Sequence, residues 1–125
     1  MEKLGPGDED LIRVASLARQ RAHAPYSKYK VGAAVRTKRN KIYSGANVEN
    51  ASYGLTVCAE RCALSRAAAQ GVRPGDVEAV AITASPCGGC RQWLAEFKVD
   101  RVVFLHEGDV LTRSPAELLP DSFVL

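Results

Sequence analysis

A chain of 125 residues and 13.5 kDa has the size of one domain with a real core. With 46% hydrophobic and 25% charged residues its composition is that of an ordinary folded protein, which excludes a disordered or low-complexity chain. A net charge of +3 is too mild to call for nucleic acid, and no apolar run approaches the ~20 residues of a membrane span.

The acidic start Met1-Glu2-Lys3 does not read as a signal peptide, so a cytoplasmic location is expected. Residues 8–22 carry a helical stripe (Leu11, Ile12, Val14, Ala15, Leu17, Ala18, Ala22), opened by acids and closed by Arg19 and Arg21, before Pro25 interrupts it. A short apolar run at 31–35 suits a buried strand. Residues 38–41 read as a hairpin turn and 42–46 as the returning strand. Six basic residues (Lys28, Lys30, Arg36, Lys38, Arg39, Lys41) and no acidic one lie between 28 and 41. No aromatic stacking series accompanies them, so a solvated hairpin end is preferred to a polynucleotide platform.

Residues 58–70 form a helix of small side chains able to pack closely on a sheet, with Gly71 as its C-cap. A buried strand over 77–83 follows, then a helix over 87–97 with Trp93, Leu94 and Phe97 on its apolar side. Next come a strand over 101–105, a short one over 107–111, and a helix capped by Ser114 through Leu118. Strands alternating with helices predict a single α/β domain over 1–125, a mixed sheet of about five strands covered by helices.

The chemistry concentrates in Thr56-Val57-Cys58-Ala59-Glu60-Arg61 and Pro86-Cys87-Gly88-Gly89-Cys90. Four cysteines in a reducing compartment favour metal or catalysis over disulfides. Cys58, Cys87 and Cys90 can give three thiolates to one zinc and leave its fourth position open. Glu60, close behind Cys58, completes the pattern of the zinc nucleobase deaminases, with cysteine where many members carry histidine. An open zinc site acidifies water, and a carboxylate beside it can shuttle protons.

Three thiolates overcompensate a dication, so positive partners are needed. Two helix N-termini, one after Thr56 and one after Pro86, together with Arg61, can supply them. Residues i and i+2 of a regular helix point apart, so Cys58 must lie at the helix start for Cys58 and Glu60 to share a site. A rival reading adds Cys62 to make a closed four-thiolate structural module without catalysis. A full helical turn separates Cys62 from Cys58, which argues against it.

Three runs make the chain similar to the small zinc-dependent cytidine deaminases. They are residues 24–34, around Tyr26-Ser27-Lys28-Tyr29; residues 47–61, from Asn47-Val48-Glu49 to Arg61; and residues 85–92. The likeness runs from about Leu11 to Phe123. It implies a three-layer sandwich, one Zn2+ per subunit, a homotetramer with sites at subunit junctions, and a free nucleoside as partner. The implied activity is hydrolytic deamination of cytidine and 2′-deoxycytidine to uridine and 2′-deoxyuridine, a pyrimidine-salvage reaction. A cytosine-containing nucleoside antibiotic is the alternative substrate.

By that resemblance Glu60 is catalytic and Cys58, Cys87 and Cys90 hold the metal. Asn47 and Glu49, which face one way on an extended segment, hold the ribose hydroxyls. Tyr29 packs near the base, where the family usually has phenylalanine, and the Ala59 amide meets the base carbonyl. Tyr53 lies near the sugar, although a core role is equally open to it. Phe123 inserts into a neighbouring subunit's site, and Arg61 hydrogen-bonds the thiolates. His23 and His106 fall outside the motif spacing and are expected to be structural or on the surface. Residues 79–85 run almost directly into Pro86, a shorter approach than relatives commonly have. Gly89, often alanine in the family, is expected to change little.

Overall fold

The computed structural model describes residues 7–125. Five strands form one mixed sheet in the order β2-β1-β3-β4-β5, with β1 at Gly32–Thr37, β2 at Ile42–Ala46, β3 at Val77–Ile82, β4 at Arg101–His106 and β5 at Asp109–Arg113. β1 pairs antiparallel with β2 and β3, β3 pairs parallel with β4, and β4 pairs antiparallel with β5. The helices are α1 at Asp8–Arg19, α2 at Ala59–Ala69, α3 at Gly88–Glu96 and α4 at Pro115–Leu118, with a single 3-10 turn at Tyr53–Leu55.

The period-2 alternation of β1 and β3 divides the core. Ala33, Val35, Val80 and Ile82 pack with Ala59, Ala63, Leu64 and Leu94 from α2 and α3. Ala34, Ala79 and Ala81 face the other way, against Leu11 and Ala15 of α1. The alanine face lets α1 lie close. At Gly32 the approach is backbone on backbone, since a Cβ there would stand 2.6 Å from the amide nitrogen of Arg19. Gly45 does the same for α2, where a Cβ would meet Ala63 N at 2.6 Å and Ala59 O at 2.9 Å.

The expected elements are present, with shifted ends. α1 stops at Arg19, short of Ala22. β5 begins at Asp109, because Glu107 and Gly108 take positive φ (50° and 87°) and form the turn of the β4–β5 hairpin. Gly71, at φ 98°, follows the Gln70 C-cap of α2. The Ser114–Glu117 capping box opens α4 as its serine suggests.

The sequence pattern does not show a charge cluster at the start of β3 and β4. Asp8, in the first turn of α1, is fully buried and accepts from Arg36 Nη2 at 3.0 Å and from Arg101 Nε and Nη2 at 2.8 Å each. Glu78 joins it, accepting from Arg36 Nη2 at 2.7 Å and Arg101 Nη2 at 3.2 Å. Arg36, one of the six basic residues of the 28–41 run, is therefore buried in an ion network. Lys38 pairs with Asp100 at 3.7 Å, and the strand between them separates Lys28 and Lys30 from the hairpin end. The run makes no single basic face.

Gly32→Ala drives a methyl into the backbone of α1 and should lower stability by about 3 kcal/mol or more, read as a fall in the urea midpoint. The hydrogen bond from Arg36, opposed by burial and aided by the charges of Arg36 and Arg101, holds the Glu78 carboxyl below its ordinary value of 4.5. A depressed acid stabilises the fold above its unfolded pKa and loses that contribution as pH falls through the lower folded value. Urea titrations below pH 4.5 should show a shallower acid loss in Glu78→Gln than in the parent; identical acid slopes would count against the network.

Candidate active site

Cys58 and Cys87 are each the N-cap of a helix, α2 and α3, in extended conformation (φ −72°, ψ 156° and φ −71°, ψ 168°). Cys58 thus lies outside regular helix, as a site shared with Glu60 requires. Thr56 is not the cap of α2; its hydroxyl accepts from Asn50 N at 3.1 Å and braces the preceding loop. α3 follows the end of β3 across Thr83-Ala84-Ser85-Pro86, so the short approach brings Ala84 and Ser85 to the cleft wall. Arg91 fixes that approach, donating to Pro86 O and Leu118 O at 3.0 Å each.

Among the described residues, Cys58, Cys87 and Cys90 form a metal-competent cluster, their sulfurs all within 4.8 Å of one another. The Cys58–Cys87 and Cys87–Cys90 separations are 3.7 and 3.2 Å. Two thiolates each ~2.3 Å from a tetrahedral zinc stand about 3.8 Å apart, so the Cys58–Cys87 pair matches that ion and the Cys87–Cys90 pair reaches it by opening roughly half an ångström. Cys62 lies outside the cluster, on the side of α2 that meets Gly45, so the closed four-thiolate reading is not what the fold builds.

The electrostatics suit the donor set. Hydrogen bonding from the Cys90 thiol, against burial and with help from Cys87 and Arg61, brings Cys58 down to about 6. Cys90, buried, is pushed up chiefly by its bond to Cys58. Burial raises Glu60, which is 3% exposed, and the neighbouring Cys58 thiolate adds to the effect. Arg61 is lowered by burial and raised more by the Cys90 sulfur and the three cysteine charges, a net rise; its Nε is buried without a partner among the described residues.

The thiols open on a cleft of about 220 Å³ that brings together Tyr29, Asn47, Glu49, Cys58, Ala59, Glu60 and Cys87. The Val48–Val57 bridge, two backbone hydrogen bonds of 2.9 Å, ties the Asn47–Glu49 segment to the residue before Cys58. Val48 points out while Asn47 and Glu49 line the cleft, as the alternation predicts. The Asn47 amide is already engaged, accepting from Val31 N at 2.8 Å and donating to Tyr29 O at 3.0 Å. Glu49 accepts from Tyr26 N at 3.0 Å, from Ser27 N at 3.1 Å and from the Ser27 hydroxyl. The Ser27 side chain, opposed by burial and joined by the two amides, holds Glu49 below the usual carboxylate range.

Tyr53 and Phe123 do not line this cleft. Tyr53 is 75% exposed, with its ring edge-on to Tyr26 at 6.4 Å, so it is no core residue. Phe123 is 69% exposed, and its carbonyl accepts from Gln92 Nε2 at 3.1 Å. His23 is structural: its backbone bonds Asn47 O and Glu49 N, and His106 lies on the surface. Ser27 was missed as a site residue. Its position beside Tyr29 in the 24–34 run was the available signal.

Comparison with known proteins agrees with this geometry. Residues 6–106 match the cytidine and deoxycytidylate deaminase zinc-binding region. The chain is 47% identical to the cytidine deaminase of Halalkalibacterium halodurans, covering 90% of this chain and 91% of that protein. It is 43% identical to that of Sporosarcina psychrophila, covering 92% and 90%. The crystal structure of the cytidine deaminase from Burkholderia pseudomallei superposes with a TM-score of 0.85 at 47% identity, over 92% of this chain and 98% of that one. That of the Mycobacterium tuberculosis enzyme gives 0.80 at 35% identity, over 94% and 97%.

If the cluster binds metal as described, Cys87→Ser should lose zinc affinity by more than the roughly 10- to 100-fold that loss of an outer partner costs. Cys62→Ser should retain parental zinc in a competition assay with a chromophoric chelator. Equal losses in both variants would restore the four-thiolate site.

Proposed function

The chain belongs to the cytidine deaminase family, and we propose that it hydrolyses free cytidine and 2′-deoxycytidine to uridine and 2′-deoxyuridine, releasing ammonia. The observation that carries this reading is the convergence of three thiols, a buried carboxyl and the Asn47–Glu49 pair on one cleft. Cys58, Cys87 and Cys90 would hold one zinc per subunit, which when bound acidifies water and polarises the reacting centre.

The chain's own groups do the rest. Glu60, raised by burial, takes a proton from the attacking water, passes it to the ring nitrogen, and later delivers a proton to the departing amine. The water oxygen adds to C4 first, making that carbon tetrahedral as the ring nitrogen is protonated; the bond from C4 to the exocyclic nitrogen breaks afterwards, and one water is consumed for each ammonia released. In this reading the Ala59 amide bonds the base carbonyl, which its position in the first turn of α2, where N–H groups lack helical acceptors, supports. Glu49 stays ionised at neutral pH and offers its remaining lone pairs to ribose hydroxyls, beside the second hydrogen of the Asn47 amide. Tyr29, in the cleft wall, packs against the base.

We assign a homotetramer, in which Tyr53 and Phe123 serve a neighbouring subunit's cleft. Their exposure, outside their own chain's cleft, supports that reading. A cytoplasmic location accords with four free thiols, and among the described residues no helix is long and apolar enough to cross a membrane.

The loss of cytidine absorbance on mixing with pure protein tests the reaction. Glu60→Gln should keep zinc and lose turnover by roughly 10²- to 10⁴-fold. Unchanged turnover in that variant would remove Glu60 from the proton path.

A further inference from the structure

Ser27 stands in an exposed loop, where a serine ordinarily does no more than turn its own backbone. Its hydroxyl makes two bonds here. The oxygen accepts from Tyr29 N at 3.0 Å, and the single hydrogen goes to Glu49 Oε2. The first bond spans Lys28, a non-glycine residue at φ 63°, a backbone conformation that persists where its surroundings hold it. With the Tyr29 amide taking up a lone pair of the oxygen, the hydroxyl hydrogen is directed to the carboxylate.

These bonds complete a path between the side chains of Asn47 and Glu49. Asn47 Nδ2 donates to Tyr29 O at 3.0 Å, Tyr29 N donates to Ser27 Oγ, and Ser27 Oγ donates to Glu49. Glu49 Oε1 already accepts from two amides, Tyr26 N at 3.0 Å and Ser27 N at 3.1 Å, so both its lone pairs are used. What the carboxylate has left for a ligand therefore lies on Oε2. A carboxylate held at one oxygen can still pivot about it. The Ser27 hydroxyl holds the other.

We infer that Ser27 is a positioning residue for substrate: its hydroxyl fixes Glu49 Oε2 relative to the Asn47 amide, and so sets the polar end of the cleft for the hydroxyls of a nucleoside's sugar. The inference rests on the nucleoside reading proposed above and goes beyond it, because it gives a part in recognition to a side chain that acts through Glu49. The same hydroxyl is the largest cause of the lowered Glu49 pKa, which keeps the carboxylate an acceptor. A serine that only shaped the loop would affect every ligand alike, since Tyr29 rides on that loop. A serine that sets Glu49 affects only ligands with a sugar hydroxyl to offer.

The experiment is steady-state kinetics on purified, zinc-loaded, full-length protein as parent, Ser27→Ala and Ser27→Thr, with zinc content measured for each. The ligands are cytidine and 2′,3′-dideoxycytidine, the latter as substrate or as competitive inhibitor of cytidine turnover. Ser27→Ala is expected to raise KM for cytidine about tenfold, roughly what one hydrogen bond to a charged group contributes, with kcat within about twofold of the parent. Its affinity for the dideoxy compound should stay within about twofold, and Ser27→Thr, which keeps the hydroxyl, should restore the parental KM. A Ser27→Ala KM for cytidine within twofold of the parent overturns the inference. So does an equal loss for both ligands, a Ser27→Thr loss as large as that of Ser27→Ala, or a fall in zinc content that accounts for the effect. A parent that does not turn over cytidine overturns the nucleoside reading and the inference together, an outcome distinct from an active parent indifferent to residue 27.

Discussion

Two helices starting at one point is the constraint on which the site depends. Cys58 and Cys87 each occupy an N-cap, the position where the chain is still extended and the first amide groups of the helix have no acceptor. Their sulfurs therefore sit in the positive field of two converging helix ends, where thiolate is favoured over thiol. Cys90 and Glu60 come one turn and a fraction of a turn further in, so they approach the same point from inside the protein. The donor set is half in solvent and half in the core because of where the helices begin.

The helices can begin together only if the sheet allows it. β3 ends at Ile82, and α3 opens after a short connection, in the parallel β3–α3–β4 unit whose strand ends commonly form sites. α2 is set on β2 by the backbone approach at Gly45, and α1 is set on β1 by the one at Gly32. Asp8, Arg36, Glu78 and Arg101 secure the opposite end of the sheet, joining α1 to β1, β3 and β4 through charge. Packing thus fixes the helix origins, and the origins fix the spacing of the sulfurs.

Much of this was legible in the residues. Pattern and caps located the four α-helices and five strands of the described residues, because small and β-branched runs alternate with amphipathic ones, but not the 3-10 turn at Tyr53–Leu55. The three thiols and Glu60 were readable because metal-ligand spacing is a chemical demand with few substitutes. The buried charges were not legible: Asp8 reads as an acid favouring a helix N-terminus, and Arg36 reads as part of a basic hairpin. Only the register of β1 against β3 brings Arg36 over Ala79 and beside Glu78. The start of β5 was misplaced for a similar local reason, since the positive φ of Glu107 is visible in backbone geometry and not in a glutamate codon.

Asn47 and Glu49 have an architectural role of their own, beside the recognition proposed for them. Their side chains hold the 26–31 segment by accepting from Tyr26, Ser27 and Val31 amides and by donating to the Tyr29 carbonyl. The loop carrying Tyr29 is thereby fixed before any ligand arrives, and the polar atoms facing the cleft are already oriented. Preorganisation of this kind lowers the ordering cost of binding. It also couples the two ends of the cleft. The Val48–Val57 bridge places that same segment one residue from Cys58, so backbone hydrogen bonds tie the Asn47–Glu49 end of the cleft to the sulfur end. Glu60 lies between them, and its raised pKa has two causes of different permanence. Burial belongs to the fold, whereas repulsion by the Cys58 thiolate is offset once a dication neutralises that sulfur. The persistent part is burial, so the upward shift of Glu60 derives from the same close packing of α2 that Gly45 permits.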